Sequence, residues 1–358
     1  MNLPHSQKSQ RIAGEASPGR RFSALAWSSV AAFALFVLIA GRVAASTPPA
    51  VDSTFEQPLG SHAMHLVGPM GIGFDRRAQE IVVANTDAGR IEFFDEHGHS
   101  TGSFIHQVRG SSGDLQVGHP KHVAVDGLGR IYVVDIGSPD VDVCDFRGRN
   151  LATIALPAPD DRLETGGAGP MALAADGRLF VASRSGGRIH VFGSDRKLIQ
   201  TWGVAGPDSG QLSAISGLAL DPSGNVVVTC VTTALGVQIF DAHGKYLRGF
   251  GVHDIGPGRF SQPSGVAVSP DGRIWVVDCM RANLQVFDSN GALLGVVTGG
   301  VKGSSDWLYP SALASDGKGL FALAEWGGNR IRLLWMHMGQ RTNEEVVPAA
   351  SHVEPQSP

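Results

Sequence analysis

The chain has 358 residues, with 33 acidic against 29 basic side chains and a formal net charge of −4 at pH 7. That balance argues against nucleic acid as a partner, because a phosphate backbone is bound by a clearly basic surface. Three cysteines do not make a disulfide framework, and 47 glycines indicate a fold rich in turns.

The N-terminal region has the features of an export signal. Residues 1–21 are polar and basic, whereas residues 22–41 carry no charge and Arg42 ends the run. About twenty uncharged residues can cross a bilayer as a helix, and the basic flank places the N-terminus in the cytoplasm. Residues 43–45, Val-Ala-Ala, form an acceptable small-residue cleavage site. We therefore predict a signal peptide or a transmembrane anchor over residues 22–45.

Both interpretations of this segment have the same consequence for the rest of the chain. A cleaved signal is preferred to a retained anchor, because the strongly apolar part covers only residues 30–40. If the segment is not cleaved, residues 22–41 hold the protein in the membrane. Arg20-Arg21 leaves the export route open between the general and the twin-arginine pathways. In every case the remainder is predicted to be extracytoplasmic, either periplasmic or at the cell surface.

After a predicted linker at residues 46–61, six copies of one pattern follow. Each copy begins with a short apolar strand led by a small residue. It continues through a polar turn into a longer apolar strand and then a third strand. The leading positions lie about 48 residues apart and are Gly71, His122, Ala172, Gly217, Gly265 and Ala312. Periods of about 40–50 residues with several strands each are typical of propeller blades, which need one another to bury their faces.

Residues 262–291 show the pattern most clearly. Gly-Val-Ala-Val at 265–268 and Arg-Ile-Trp-Val-Val-Asp at 273–278 are followed by Asn-Leu-Gln-Val-Phe-Asp at 283–288. The copies resemble NHL repeats, although the histidine of the name-giving Asn-His-Leu is absent from every copy. The resemblance covers residues 62–336. It implies an all-β fold, a six-bladed β-propeller of four-stranded antiparallel blades.

The two ends of the repeat region are expected to meet. The sixth copy lacks a fourth strand, because the sequence turns polar after Met338. Residues 62–67 alternate weakly and lie just ahead of the first copy, so we predict that they supply the missing strand and close the ring. Residues 337–358 have no periodicity and are predicted to be a disordered tail.

One face of such a propeller is the expected binding surface. The turns between second and third strands share it with the blade-to-blade loops, and we name it the long-loop face. Its long loops are residues 105–118, 155–168, 203–214, 251–261 and 298–308. Function is usually carried by loops on a rigid scaffold, so a protein or small-molecule partner is expected here.

His122 breaks the column of small residues that leads the innermost strands. It is expected to point toward the axial channel beside Lys121, either as a ligand contact or as a side chain that fills space. The resemblance extends to NHL-type amidating lyases, which hold a metal with histidines from several blades. Here only the second copy offers histidines at this level, His119 and His122, which argues against that activity.

A second column follows the second strand of each copy and consists of Asn85, Asp135, Ser183, Cys230, Asp278 and Glu325. It predicts either a ring of groups that binds a cation or a polar ligand, or side chains that cap the following turn. Capping is favoured, because the acidic residue belongs to the repeat itself. The candidate ligand-binding residues are Lys121, His122, His119, Asp135, Arg184, Asp278, Arg281 and Glu325. No catalytic residue or metal ligand is predicted.

The three cysteines are predicted to stay unpaired. Cys230 and Cys279 lie in neighbouring copies, one column apart, where the separation exceeds the roughly 5.5 Å between Cα atoms that a disulfide prefers. Cys144 occupies an apolar position of a third strand and is expected in the core.

Two functions from different classes follow. The preferred one is an exported or membrane-anchored NHL-type propeller that acts as a non-catalytic binding or scaffolding module and needs no cofactor. The alternative is a metal-dependent lyase or hydrolase, with a calcium or zinc ion in the channel. Its site would lie around His119, His122, Asp135 and Asp278.

Export can be tested with a reporter enzyme fused after residue 60. The fusion should be active only outside the cytoplasm, because the uncharged segment 22–41 and its basic flank direct translocation. The same fusion without residues 22–41 is the control and should stay inside. Cytoplasmic activity of the complete fusion would contradict the prediction.

Overall fold

The computed structural model describes residues 51–55, 66–110, 112–158, 167–184, 187–298 and 307–336. The predicted signal or anchor at 22–45 and the predicted tail at 337–358 lie outside these ranges. Within them, no helix has the length and apolarity that a membrane span requires.

The described strands form six four-stranded antiparallel sheets and one short hairpin. Strand β1 (Val51–Phe55) comes first. Blade 1 contains β2 (Pro69–Asp75), β3 (Glu80–Asn85), β4 (Arg90–Phe94) and β5 (Ser100–Ile105). A hairpin of β6 (Gln107–Arg109) and β7 (Leu115–Val117) follows. Blade 2 contains β8 (Pro120–Val125), β9 (Ile131–Asp135), β10 (Val141–Cys144) and β11 (Asn150–Ile154).

The remaining four blades repeat this order. Blade 3 contains β12 (Ala168–Leu173), β13 (Leu179–Ser183), β14 (Ile189–Phe192) and β15 (Leu198–Trp202). Blade 4 contains β16 (Ile215–Leu220), β17 (Val226–Cys230), β18 (Leu235–Phe240) and β19 (Tyr246–Val252). Blade 5 contains β20 (Pro263–Val268), β21 (Ile274–Asp278), β22 (Asn283–Phe287) and β23 (Leu293–Thr298). Blade 6 contains β24 (Pro310–Ser315), β25 (Leu320–Glu325) and β26 (Arg330–Met336), with β1 as its fourth strand.

Both faces of each blade are buried against neighbours. The second strands are apolar over most of their length and are buried throughout, as in Ile274–Asp278. Six apolar clusters result, one at each boundary between adjacent blades. At the boundary of blades 5 and 6, the Trp275 and Phe321 rings lie 4.7 Å apart between centroids. The predicted all-β propeller with four-stranded antiparallel blades is therefore confirmed.

The repeated Asp-Gly turns have a direct physical cause. The Asp221 carboxylate accepts backbone N–H groups of Ser223 at 2.8 Å and of Asn225 at 2.9 Å. Gly224 lies between them at a φ of +81°, a left-handed conformation that glycine adopts without a steric penalty. The turn residues therefore set where each first strand ends and each second strand begins.

The ring closes through a different segment from the one predicted. Strand β1 pairs antiparallel with β26, with Thr54 opposite Leu334 and Phe55 opposite Leu333. The prediction that residues 62–67 supply this strand is wrong, and the closing strand lies inside the segment interpreted as a linker. Of residues 62–67 the structure describes Leu66 and Val67, which form no strand, and Leu66 is buried at the boundary of blades 6 and 1.

Loss of β1 should destabilise the whole ring. A chain that begins at Glu56 is compared with one that begins at Thr47, which retains the strand. The shorter chain should melt at a clearly lower temperature, because it lacks one ladder of blade 6 and exposes the edge of β26. The loss should exceed the roughly 0.5–3 kcal/mol of a point substitution. Equal melting temperatures by circular dichroism would show that β1 does not hold the ring closed.

Candidate functional site

The innermost strands of the six blades line a narrow cavity on the propeller axis. Its volume is about 90 Å³, and each blade contributes to its wall. Glycines allow these strands to approach closely. A Cβ on Gly217 would lie 2.4 Å from the Ser264 carbonyl oxygen, and one on Gly265 would lie 2.6 Å from the Leu313 nitrogen. The small column found in the sequence therefore sets the spacing between blades.

His122 stands in this column and lines the cavity, as predicted. Protein atoms surround the imidazole, which nevertheless keeps partial access to solvent through the channel. Burial, followed by the positive charges of Lys121 and Arg184, lowers the pKa of His122 to about 3. At neutral pH the ring is therefore uncharged and offers one N–H donor and one acceptor nitrogen.

Lys121 occupies a position that three other blades give to serine. Those hydroxyls donate to carbonyls of the next blade: Ser216 to Pro263 at 2.7 Å, Ser264 to Pro310 at 3.3 Å and Ser311 to Pro69 at 3.2 Å. The Lys121 ammonium makes no such bond to any residue that the structure describes. Burial, with a smaller effect from Arg184, lowers the pKa of Lys121.

Arg184 belongs to blade 3 but binds blade 2. Its guanidinium donates to the carbonyls of Asp135 at 2.9 Å, Ile136 at 3.1 Å and Ser138 at 3.0 Å. These bonds fix the turn after β9 and keep a permanent positive charge beside Lys121 and His122. Lys121, His122 and Arg184 therefore lie close together between blades 2 and 3, and of these three His122 lines the cavity.

The acidic candidates Asp278 and Glu325, by contrast, accept hydrogen bonds from backbone N–H groups. Asp278 accepts the N–H groups of Ser261 at 2.7 Å and Gln262 at 3.1 Å, and Glu325 accepts that of Leu308 at 2.9 Å. Both carboxylates are 0% exposed. Glu325 also forms a buried ion pair with Arg332. The capping interpretation placed these side chains on the following turn, where the Arg281 N–H does reach Asp278 at 3.3 Å. Their shorter bonds instead hold the loop ahead of the first strand of the same blade.

Asp135 has a partner that the sequence analysis missed. The imidazole of His106, 2% exposed, places Nε2 3.6 Å from the Asp135 carboxylate and 3.7 Å from that of Asp142. Burial lowers the pKa of His106, and the two carboxylates act in the opposite direction. A Cβ on Gly118 would lie 2.3 Å from Asp135 Oδ2, so this glycine makes room for the cluster.

His119 and Arg281 also contact the backbone and loops of the propeller. His119 Nδ1 lies 3.3 Å from the Thr86 carbonyl oxygen of blade 1. The Arg281 side chain donates to Gly256 at 2.6 Å and to Ser261 at 3.1 Å, which holds the long loop at 251–261. Neither His119 nor Arg281 is among the residues that line the channel cavity with His122.

A buried polar column in the third strands was also missed, although the sequence carries its signal. One polar side chain recurs there in every blade: Glu92, Asp142, His190, Gln238, Gln285 and Arg332. Gln238 donates to the Gln211 carbonyl at 2.7 Å and accepts the Gly210 N–H at 2.6 Å. Gln285 repeats this on Arg259 and Gly258, both at 2.7 Å. In blades 4 and 5 this column therefore ties the long loop to its blade.

The cysteines are unpaired, and the proposed metal donors form no cluster among the described residues. Cys144, Cys230 and Cys279 are unpaired, and burial raises the pKa of the core residue Cys144 to about 12. Within the described ranges, no three His, Cys, Asp or Glu side chains are arranged to hold a metal ion.

Exposed apolar side chains gather on the long-loop face. We name five of them the apolar rim: Ile136, Met280, Leu308, Tyr309 and Trp326. Tyr309 and Trp326 are 50% and 44% exposed and meet edge to face, with ring centroids 6.0 Å apart. The long loops add Leu115, Val117, Val204 and Ile255. Exposed apolar side chains that adjoin one another indicate an interaction site, and Tyr309 and Trp326 form such a pair.

Comparisons with known proteins support the fold. Residues 260–287 match the NHL repeat family, and no curated protein matches the chain. A streptogramin B lyase structure has a TM-score of 0.54 at 16% identity, over 77% of this chain and 86% of that one. Virginiamycin B lyase from Staphylococcus aureus has a TM-score of 0.52 at 15% identity, over 77% and 88%.

A protein of unknown function from Bacteroides thetaiotaomicron has a TM-score of 0.56 at 17% identity, over 81% of this chain and 74% of that one. At such identities the likeness concerns the fold alone. The arrangement of the blades is that of a six-bladed β-propeller, and the match over residues 260–287 supports NHL repeats as its building units.

Proposed function

We propose that this propeller is a non-catalytic binding module that holds a partner protein on its long-loop face. The observation that carries the proposal is the apolar rim around the channel mouth. Aromatic residues and methionine are enriched at protein interfaces, and the rim contains Tyr309, Trp326 and Met280. We also propose export, supported by the uncharged segment 22–41 and its basic flank.

The hydrogen bonds of the polar side chains on this face are consistent with a binding role. Asp278, Glu325 and Arg281 hold long loops in place, so they shape the face and are not free for acid–base chemistry. Rigid loops lower the entropy that a partner must overcome on binding. The face is therefore preorganised as well as partly apolar.

The alternative is a metal-dependent lyase or hydrolase. It is favoured by one observation, that two similar structures are lyases by name. The donors proposed for it lie apart in this protein: His119 rests on Thr86, and Asp278 caps a loop, while His122 is in the channel. Stoichiometric zinc or calcium in the purified protein, lost in His122→Ala, would favour the alternative.

Trp326→Ser should weaken partner binding without unfolding the propeller. The partner is captured from extracts of the native host, identified by mass spectrometry and then measured by calorimetry. A buried aromatic anchor at an interface contributes about 2 kcal/mol or more, so the dissociation constant should rise roughly thirtyfold.

Leu128→Ser is the matched control, because Leu128 is 69% exposed on the turn between β8 and β9, on the opposite face. It should bind as the parent does. Equal affinities for the parent and Trp326→Ser would contradict the proposed face, as would weaker binding by Leu128→Ser alone.

His122 should make the protein acid-sensitive. Its pKa is about 3 in the folded protein and about 6.5 when unfolded. Between these values the unfolded chain binds a proton that the folded chain does not, so stability falls as the pH falls from 6.5 to 3. His122→Gln should lose less stability than the parent between pH 7.5 and pH 4.5 in urea unfolding. Equal losses would show that the imidazole titrates normally in the fold.

A further inference from the structure

We propose that the channel mouth between blades 2 and 3 binds a carboxylate group, with Lys121 as its cationic partner and His122 as a second donor. The inference rests on the proposed function, because it names the chemical group that the bound partner presents at the centre of the long-loop face.

The first step concerns uncompensated charge. Arg184, which is also a cation, lies close enough to lower the pKa of the Lys121 ammonium, although burial lowers it more. No acidic side chain among the described residues forms an ion pair with Lys121, although the chain as a whole carries a net charge of −4. Two cations held close together favour an anion between or beside them.

The second step concerns which cation is available. The Arg184 guanidinium is occupied by three backbone carbonyls of blade 2, so it contributes charge and is held rigidly. No described residue accepts a hydrogen bond from the Lys121 ammonium, so its three N–H donors are available to a ligand. The neutral imidazole of His122 lies next along the strand and can donate one further hydrogen bond. Together they suit the two oxygens of a carboxylate.

The third step concerns size. A cavity of about 90 Å³ has room for several water molecules. It is smaller than the roughly 300–1,000 Å³ of pockets for drug-sized ligands. The channel therefore admits a small terminal group, such as an Asp or Glu side chain or a chain end, while the body of the partner stays on the face.

The fourth step concerns folding. At the position of Lys121, blades 4, 5 and 6 have serine, whose hydroxyl bonds to the next blade, and blades 1 and 3 have methionine. Blade 2 lacks that bond, because the Lys121 ammonium has no such acceptor among the described residues. A residue that breaks its own repeat without a structural gain is expected at a functional site.

The test uses defined probes and calorimetry on the complete protein. The probes are succinate, an Ala/Ser hexapeptide with a free C-terminal carboxylate, and the same hexapeptide as its C-terminal amide. The parent should bind at least one free-carboxylate probe, and Lys121→Gln should weaken that binding about tenfold or more, the effect of losing a hydrogen bond to a charged group. Lys245→Gln, a surface lysine on the turn between β18 and β19, should bind as the parent does.

The three probes distinguish a small carboxylate from the carboxylate at the end of a polypeptide chain. Binding of succinate indicates a site open to small carboxylates, whereas binding of the free peptide alone indicates a polypeptide chain end. The inference is overturned if the amide binds as well as the free peptide, if no probe binds, or if Lys121→Gln matches the parent. Lys121→Ser should lose the same binding and yet melt at or above the parent's temperature, which shows that the lost binding is not unfolding.

Failure here is separable from failure of the proposed function. If the captured partner still binds Lys121→Gln with the parent's affinity but not Trp326→Ser, the binding face stands and the carboxylate site falls. If neither substitution affects the partner, both fall.

Discussion

The structure depends on the burial of two apolar faces by every blade. A single four-stranded sheet of this kind cannot cover both of its faces, and each of the six clusters is built by two neighbouring blades. Hydrophobic burial therefore forces the sheets into a closed ring. Closure requires a fourth strand for blade 6, and β1 supplies it from the opposite end of the repeat region. The close spacing of innermost strands, set by glycines such as Gly217 and Gly265, follows from the same packing.

Buried polar groups in this ring bind loops in some blades and neighbouring strands in others. In blade 5, Asp278 at the end of the second strand and Gln285 in the third strand fix the long loop, whereas His190 in blade 3 bonds to Thr201 of the next strand. A buried polar atom without a partner costs free energy, so these side chains are bound to the scaffold. Residues that resemble catalytic groups in the sequence are thereby explained structurally. What remains unexplained by folding is Lys121, His122 and the apolar rim.

The sequence predicts much of this fold because a repeat samples each position six times. The period of about 48 residues, the small leading column and the Asp-Gly turns indicate the blades, and each recurs in the structure. The position of His122 in the channel could be predicted for the same reason. The identity of the closing strand could not, because β1 lies outside the repeat and its pairing with β26 has no second copy for comparison.

Other features depend on contacts between distant parts of the chain. His106 meets Asp135 and Asp142 only after the long loop folds back on blade 2, and no spacing in the sequence predicts that. Tyr309 and Trp326 lie far apart in the sequence and share no motif. They form an exposed aromatic pair because β24 and β25 are neighbouring strands. The polar column of the third strands was visible in the repeats, although its role of holding loops appears only with the hydrogen bonds.

Site-specific photo-crosslinking in the native host tests the central claim, a partner on the long-loop face, most directly. A photoreactive phenylalanine analogue replaces Tyr309 on this face, and in a second protein it replaces Phe146, which is 63% exposed on the opposite turn of blade 2. A discrete crosslinked partner from position 309, absent from position 146, is the predicted result. A partner crosslinked from position 146 and not from position 309 would contradict the account.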